Sequence, residues 1–63
     1  MTKEQINELR EKDLKKKANR IAYLYETVEE EDFHGTSDAA NDLREIIERL
    51  KMYDFLEADN GGP

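Results

Sequence analysis

The chain has no cysteine and no tryptophan, only one proline, three glycines and one histidine among its 63 residues. Without cysteine a disulfide framework is closed to it, and the absence fits a reducing compartment. A single histidine and no thiolate leave no ligand set for a structural zinc. No apolar run approaches the roughly 20 residues of a membrane span. Nor is there an apolar stretch near the first residues that would act as a secretory signal, so cytoplasmic residence is expected. A chain this short is at most one domain, and domains of this size usually rely on disulfides, a metal or a partner. With the first two excluded, association with another chain is the expected source of extra stability.

What is present is charge and helical periodicity. Charged residues make up 41% of the chain and the net charge is -6. That balance argues against a general nucleic-acid or membrane binder. Disorder is argued against by Leu, Ile and Val recurring at helical spacing. Thr2 and Gln5 have the spacing of a capping box, and Met1 and Ile6 that of a hydrophobic staple across it. Beyond them no proline or glycine interrupts the chain until Gly35. Leu14, Ala18, Ile21, Tyr25 and Val28 recur at +4 and +3 steps, which predicts an apolar stripe on one helical face. Ala22 and Leu24 flank the stripe, and an arc this wide suits a helix touching two neighbours. Acid-first pairs four apart, Glu8–Lys12, Glu11–Lys15 and Asp13–Lys17, support the same helix.

The first helix is expected to span about residues 3–30, ending where Glu29, Glu30, Glu31 and Asp32 oppose its dipole. A turn over 32–36 would use Gly35 at positive φ, with Thr36 or Ser37 capping the next helix. The second helix, about 38–56, carries Ala39, Leu43, Ile46, Ile47, Leu50 and Tyr53 on one face. Residues 59–63, ending Asn60-Gly61-Gly62-Pro63, read as a flexible tail. Residues 1–58 thus predict an all-α, antiparallel two-helix hairpin. Leu43, Ile46, Ile47 and Leu50 are expected to pack against Leu14, Ile21, Tyr25 and Val28. Pairing of two hairpins into a four-helix bundle is expected to bury the surplus, making the chain a homodimer.

Charge is unevenly spread. Residues 1–20 hold seven Lys/Arg and four Asp/Glu, whereas residues 21–42 hold seven acids and no Lys or Arg. In a hairpin this gathers an acidic block at the closed end and places the basic block at the open end. Glu29, Glu30, Glu31 and Asp32 form an acidic patch. As paired carboxylates they lack a cleft that would split their pKa values for acid–base work. His34 lies among acids without any metal-ligand spacing. Lys15, Lys16 and Lys17 with Arg10 and Arg20 are diluted by acids, and the third helix of a helix-turn-helix reader is missing. No catalytic residue, metal or cofactor is expected. Ala22, Leu24, Phe33, Tyr53, Phe55 and Leu56 are the candidate partner-binding residues: the first two flank the stripe, and the others are large apolar groups near acids.

The hairpin outline resembles the small helical aspartyl-phosphate phosphatases of sporulating bacteria, which carry a Ser-Gln-Glu-Leu-Asp signature on the second helix. The comparable stretch here is Ala39-Ala40-Asn41-Asp42-Leu43. It lacks the serine and sets its acid before the leucine, which removes the basis for transferring the activity. The compact, charged, cysteine-free chain, from the Thr2 cap to Gly61-Gly62-Pro63, is also similar to small accessory proteins of lambdoid phage early regions. That resemblance implies modulation of a host or phage protein. The function expected is therefore a non-enzymatic regulatory or accessory role through protein–protein interaction. The alternatives are an acidic inhibitor occupying a basic, nucleic-acid-binding groove on a partner, and a small hairpin phosphatase.

Overall fold

The computed structural model describes residues 2–60, Asp59 and Asn60 by backbone alone. Two helices, α1 (Lys3–Glu29) and α2 (Phe33–Asn60), form an antiparallel hairpin, with no strand among the described residues. The start of α1 follows its sequence signal. Gln5 N–H donates to Thr2 Oγ1 at 3.1 Å and Thr2 N–H donates to Gln5 Oε1 at 2.9 Å, closing the capping box reciprocally. The Met1 half of the staple lies outside the described residues.

The connection is tighter than the sequence suggested. Asp32 N–H donates to the Thr27 carbonyl and Glu31 N–H to that of Val28. These two bonds make a Schellman motif, whose αL position is usually glycine. Here it is Glu31, at φ 57°, and no glycine among the described residues has positive φ. The expected roles of Gly35, Thr36 and Ser37 are therefore corrected. Asp32 serves the first turn of α2, its Oδ1 accepting from Gly35 N–H at 3.0 Å. Gly35 is needed for space instead: a Cβ there would lie 2.5 Å from Asp32 Oδ2 and 2.8 Å from Thr27 Cγ2. Beside it Thr36 Oγ1 donates to Thr27 Oγ1 at 3.1 Å, joining the helices directly. With its N-terminus capped this early, α2 begins at Phe33 rather than near 38. It continues through Asp59 and Asn60, so those two belong to the helix and not to a tail.

Close approach at Thr27, Gly35 and Thr36 fixes the rotation of α1, and it corrects the expected core. The residues facing α2 are Ile6, Arg10, Asp13, Lys17, Leu24 and Thr27, all buried or half-buried. They advance by steps of four, three or seven. The apolar stripe Leu14, Ala18, Ile21, Tyr25 and Val28 follows the same rhythm one residue later, hence about 100° round the helix. Leu14, Ile21, Tyr25 and Val28 are accordingly 46–71% exposed. On α2 the seam is Ala39, Leu43, Ile46, Leu50 and Tyr53, all buried or half-buried. Ile47, one position on, is 40% exposed rather than buried.

Charge selects this seam over the apolar stripe, because α2 offers Arg10, Asp13 and Arg20 of α1 opposite partners. Arg49 binds Asp13 in bidentate fashion, Nε to Oδ2 at 3.1 Å and Nη2 to Oδ1 at 3.0 Å. Arg10 donates to Asp54 at 3.0 Å and to Glu57, and Arg20 lies 3.4 Å from Asp42. The signs alternate along these paired ions, so the pattern also specifies register. A slip of one heptad would oppose Asp13 to Asp42 in one direction and Arg20 to Arg49 in the other. Fixing register is the best-attested use of buried polar groups between helices.

Candidate functional site

The hairpin has two unlike broad faces. On the side of the seam where residue numbers fall just before the core positions, α1 presents Lys16, Asn19 and Tyr23 and α2 presents Asp42, Glu45 and Arg49. Together they line a shallow groove with Arg20 and Ile46. Its strongest charges are already paired, Arg20 with Asp42 and Arg49 with Asp13. On the opposite side α1 presents Leu14, Ala18, Ile21, Tyr25 and Val28, and α2 presents Ala40 and Ile47, with the half-buried Leu43 and Leu50 between them. In an antiparallel pair the same rotation on both helices points to the same side, so the α1 stripe lies beside Ala40 and Ile47 on one face, which the exposed Arg44, Lys51 and Asp54 of α2 border. Contiguous exposed apolar surface of this kind marks an interaction site more often than isolated exposed residues do.

The candidate partner-binding residues are divided by the structure. Ala22 is exposed. Leu24 is half-buried on the seam toward α2, and so belongs to the hairpin's own packing. Tyr53 is 5% exposed, seated beside Asp13 in the core. Leu56 is half-buried near the end of α2. Phe33 and Phe55 are open to solvent, at opposite ends of α2. These six do not form one surface. Glu29, Glu30, Glu31 and Asp32 are all exposed at the closed end, with Asp32 engaged in capping α2. The expected basic open end is corrected as well: the N-terminal half of α1 lies against Asp54 and Glu57, which bind Arg10.

Asp13 is the residue the sequence reading misplaced most. Its spacing suits a pair with Lys17, yet it is 3% exposed and lies against Arg49. The Arg49 guanidinium holds its carboxyl below the usual range, opposed by burial and assisted by Tyr53. The Tyr53 hydroxyl is in turn raised, by Asp13 first and by burial second. A carboxylate held ionised by a bidentate arginine is a poor general base near neutral pH. The arrangement is suited to holding two helices in register. Its signal in the sequence is Asp13 at heptad distance from Ile6, matched to an arginine on α2. Among the described residues no group of His, Asp or Glu is placed to hold a metal ion, and His34 is exposed. No helix among them is long and apolar enough to cross a membrane. No family model, no curated protein and no solved structure matches the chain.

Proposed function

We propose that this chain is a small non-enzymatic protein that acts by docking onto protein, through the apolar face of the hairpin. The observation that carries the reading is the exposure of Leu14, Ile21, Tyr25, Val28 and Ile47 on one side of a two-helix layer. These side chains gain little from the chain's own fold. Burial against a partner would remove each from water at roughly 25 cal/mol per Å² of apolar area. A regulatory or accessory role in the cytoplasm, of the kind the phage resemblance implies, is the form this docking would take. The direct test places a photo-crosslinking benzoylphenylalanine at Tyr25, in the cells that make the chain, with the same probe at Glu45 on the polar face as control. Protein adducts are expected from Tyr25 and not from Glu45. Equal labelling from both positions, or none from either, would overturn the reading.

A second reading rests on charge. Glu26, Glu29, Glu30, Glu31, Asp32 and Asp38 cluster around the closed end, with no Lys or Arg between residues 21 and 43. Such a block would fit a basic, nucleic-acid-binding groove on a partner. Capture by that route would weaken steeply as salt rises through the range in which exposed charges are screened. Capture by the apolar face would change little.

A further inference from the structure

We propose that the occupant of the apolar face is a second copy of this chain, laid face to face and antiparallel, so that two hairpins make a four-helix bundle. The inference rests on the docking reading above and names its partner.

Area is the first argument. A compact folded monomer of 7.4 kDa exposes about 4,200 Å². This chain exposes 5103 Å², an excess of about 900 Å². A standard protein interface takes about 800 Å² from each partner. Shape agrees. The Cα trace measures 50 × 14 × 13 Å with a radius of gyration of 14.5 Å. A compact chain of this length would have about 11 Å, and one of twice the length about 14 Å. The hairpin is a single layer, and stacking a second layer on the apolar face would produce a body of ordinary proportions.

Pattern is the second argument. Leu14, Ala18, Ile21, Tyr25 and Val28 form an unbroken +4, +3 seam, the spacing a helix needs to pack along its length against another helix. The seam toward α2 is distinct and already filled. A two-fold axis requires a self-complementary face, and an apolar stripe meets that requirement because apolar surface packs against apolar surface.

Charge decides orientation. Parallel stacking would bring two closed ends together, each carrying Glu26, Glu29, Glu30, Glu31, Asp32 and Asp38. Antiparallel stacking separates them by the length of the hairpin. At the open end Lys3, Lys12 and Lys51 are exposed among Glu4, Glu8, Glu11 and Asp54, so the orientation is set by keeping the two closed ends apart.

Sedimentation equilibrium on the full chain is expected to give twice the 7.4 kDa monomer mass, with dissociation on dilution. Ile21→Asp, at the middle of the face, should return the monomer mass. Because that variant could also unfold, geometry is read separately in the unaltered fold. The chain has no cysteine, so a spin label at Ser37→Cys reports a single inter-chain distance. Antiparallel pairing should place the two labels about 30 Å apart, twice the distance of Ser37 from the middle of α2 at 1.5 Å per residue, and parallel pairing would bring them within about 20 Å. Monomer mass at every concentration, or the short distance, would overturn the proposal. If the chain is a monomer but Tyr25 still crosslinks to a different protein, docking by this face stands and the second copy is refuted. If Tyr25 gives no adduct in cells while sedimentation reports the dimer, the cellular docking reading fails and self-pairing remains.

Discussion

Ile46 and Ile47 are adjacent in sequence and lie on different surfaces, which makes the pair a sensitive probe of the seam. Ile46 is 3% exposed and Ile47 is 40% exposed. Truncating isoleucine to alanine removes three carbons, at about 0.8 kcal/mol each when fully buried. The cavity left behind normally raises the cost of such a change toward the upper part of 2–5 kcal/mol. Here the layer is one helix deep and open on both sides, so neighbours can settle into the space. Ile46→Ala is therefore expected to cost about 2–3 kcal/mol. Ile47→Ala removes the same atoms from a site that is only partly shielded, and should cost about 1 kcal/mol in the isolated hairpin. The assay is urea unfolding followed by helical circular dichroism, run at two protein concentrations about a hundredfold apart. The Ile46 penalty should be the same at both. The proposed pairing of two hairpins would make the Ile47 penalty grow at the higher concentration. An Ile47 penalty equal to or larger than the Ile46 penalty at the lower concentration would refute the assignment of the seam.

Replacing Glu31, the residue at φ 57°, by glycine should stabilise the hairpin by about 1 kcal/mol, because a left-handed conformation costs an L-residue about that much; a lower melting temperature for Glu31→Gly would show that its side chain contributes more than the strain removes. Stability should also depend on pH through the core pair. The lowered Asp13 carboxyl contributes stability above its ordinary value of 3.8 that is lost as pH falls through its folded value. The raised Tyr53 hydroxyl contributes stability below 10.0 that is lost as pH rises through its own. In thermal melts Asp13→Asn should therefore be the less stable protein at pH 7, and the gap from the unaltered chain should close on acidification; a constant gap from pH 7 to pH 3 would mean the pairing with Arg49 stabilises nothing.

The helical hairpin was legible because its signals are local. The Thr2–Gln5 box, the 3.6-residue periodicity and the acids ending α1 each act within a turn or two of chain, and each stands where expected. The face that α1 turns toward α2 was not legible, because periodicity gives the angle between stripes and not which stripe meets which neighbour. The broadest apolar arc was assigned to the partner helix within the chain. Rotation is set instead by contacts across the connection: the αL residue Glu31, the space left by Gly35, and the Thr27–Thr36 bond. Two of these depend on which residue takes positive φ, and the sequence alone favoured Gly35. The candidate partner residues suffered the same error. Leu24 and Tyr53 are apolar enough to anchor a partner but are used inside the hairpin, while Tyr25 and Ile21, assigned to the core, are free to meet one.

The distribution of apolar and charged residues between the two seams bears on function more than either does alone. A hairpin optimised for its own stability would place Leu14, Ile21, Tyr25 and Val28 against α2, and would leave Arg10, Asp13 and Arg20 to solvent. The observed arrangement buries Asp13 and half-buries Arg10, although a buried ion pair is normally no more stabilising than well-packed apolar residues of the same volume. Complementary ion pairs can hold two helices antiparallel in one register without consuming the apolar stripe. The stripe then remains available as a straight, unbroken ridge. A hydrophobic inner seam would compete with the outer one, since both follow the same heptad rhythm and lie only about 100° apart on α1; rotating the helix by that angle would exchange them. Burying Asp13 with Arg49 makes that exchange costly, because it would carry the apolar stripe inward only by breaking the bidentate pair and the Arg10 and Arg20 contacts together. The ion pairs across the seam thus act as a lock on rotation, and what they keep outward is the apolar stripe of α1.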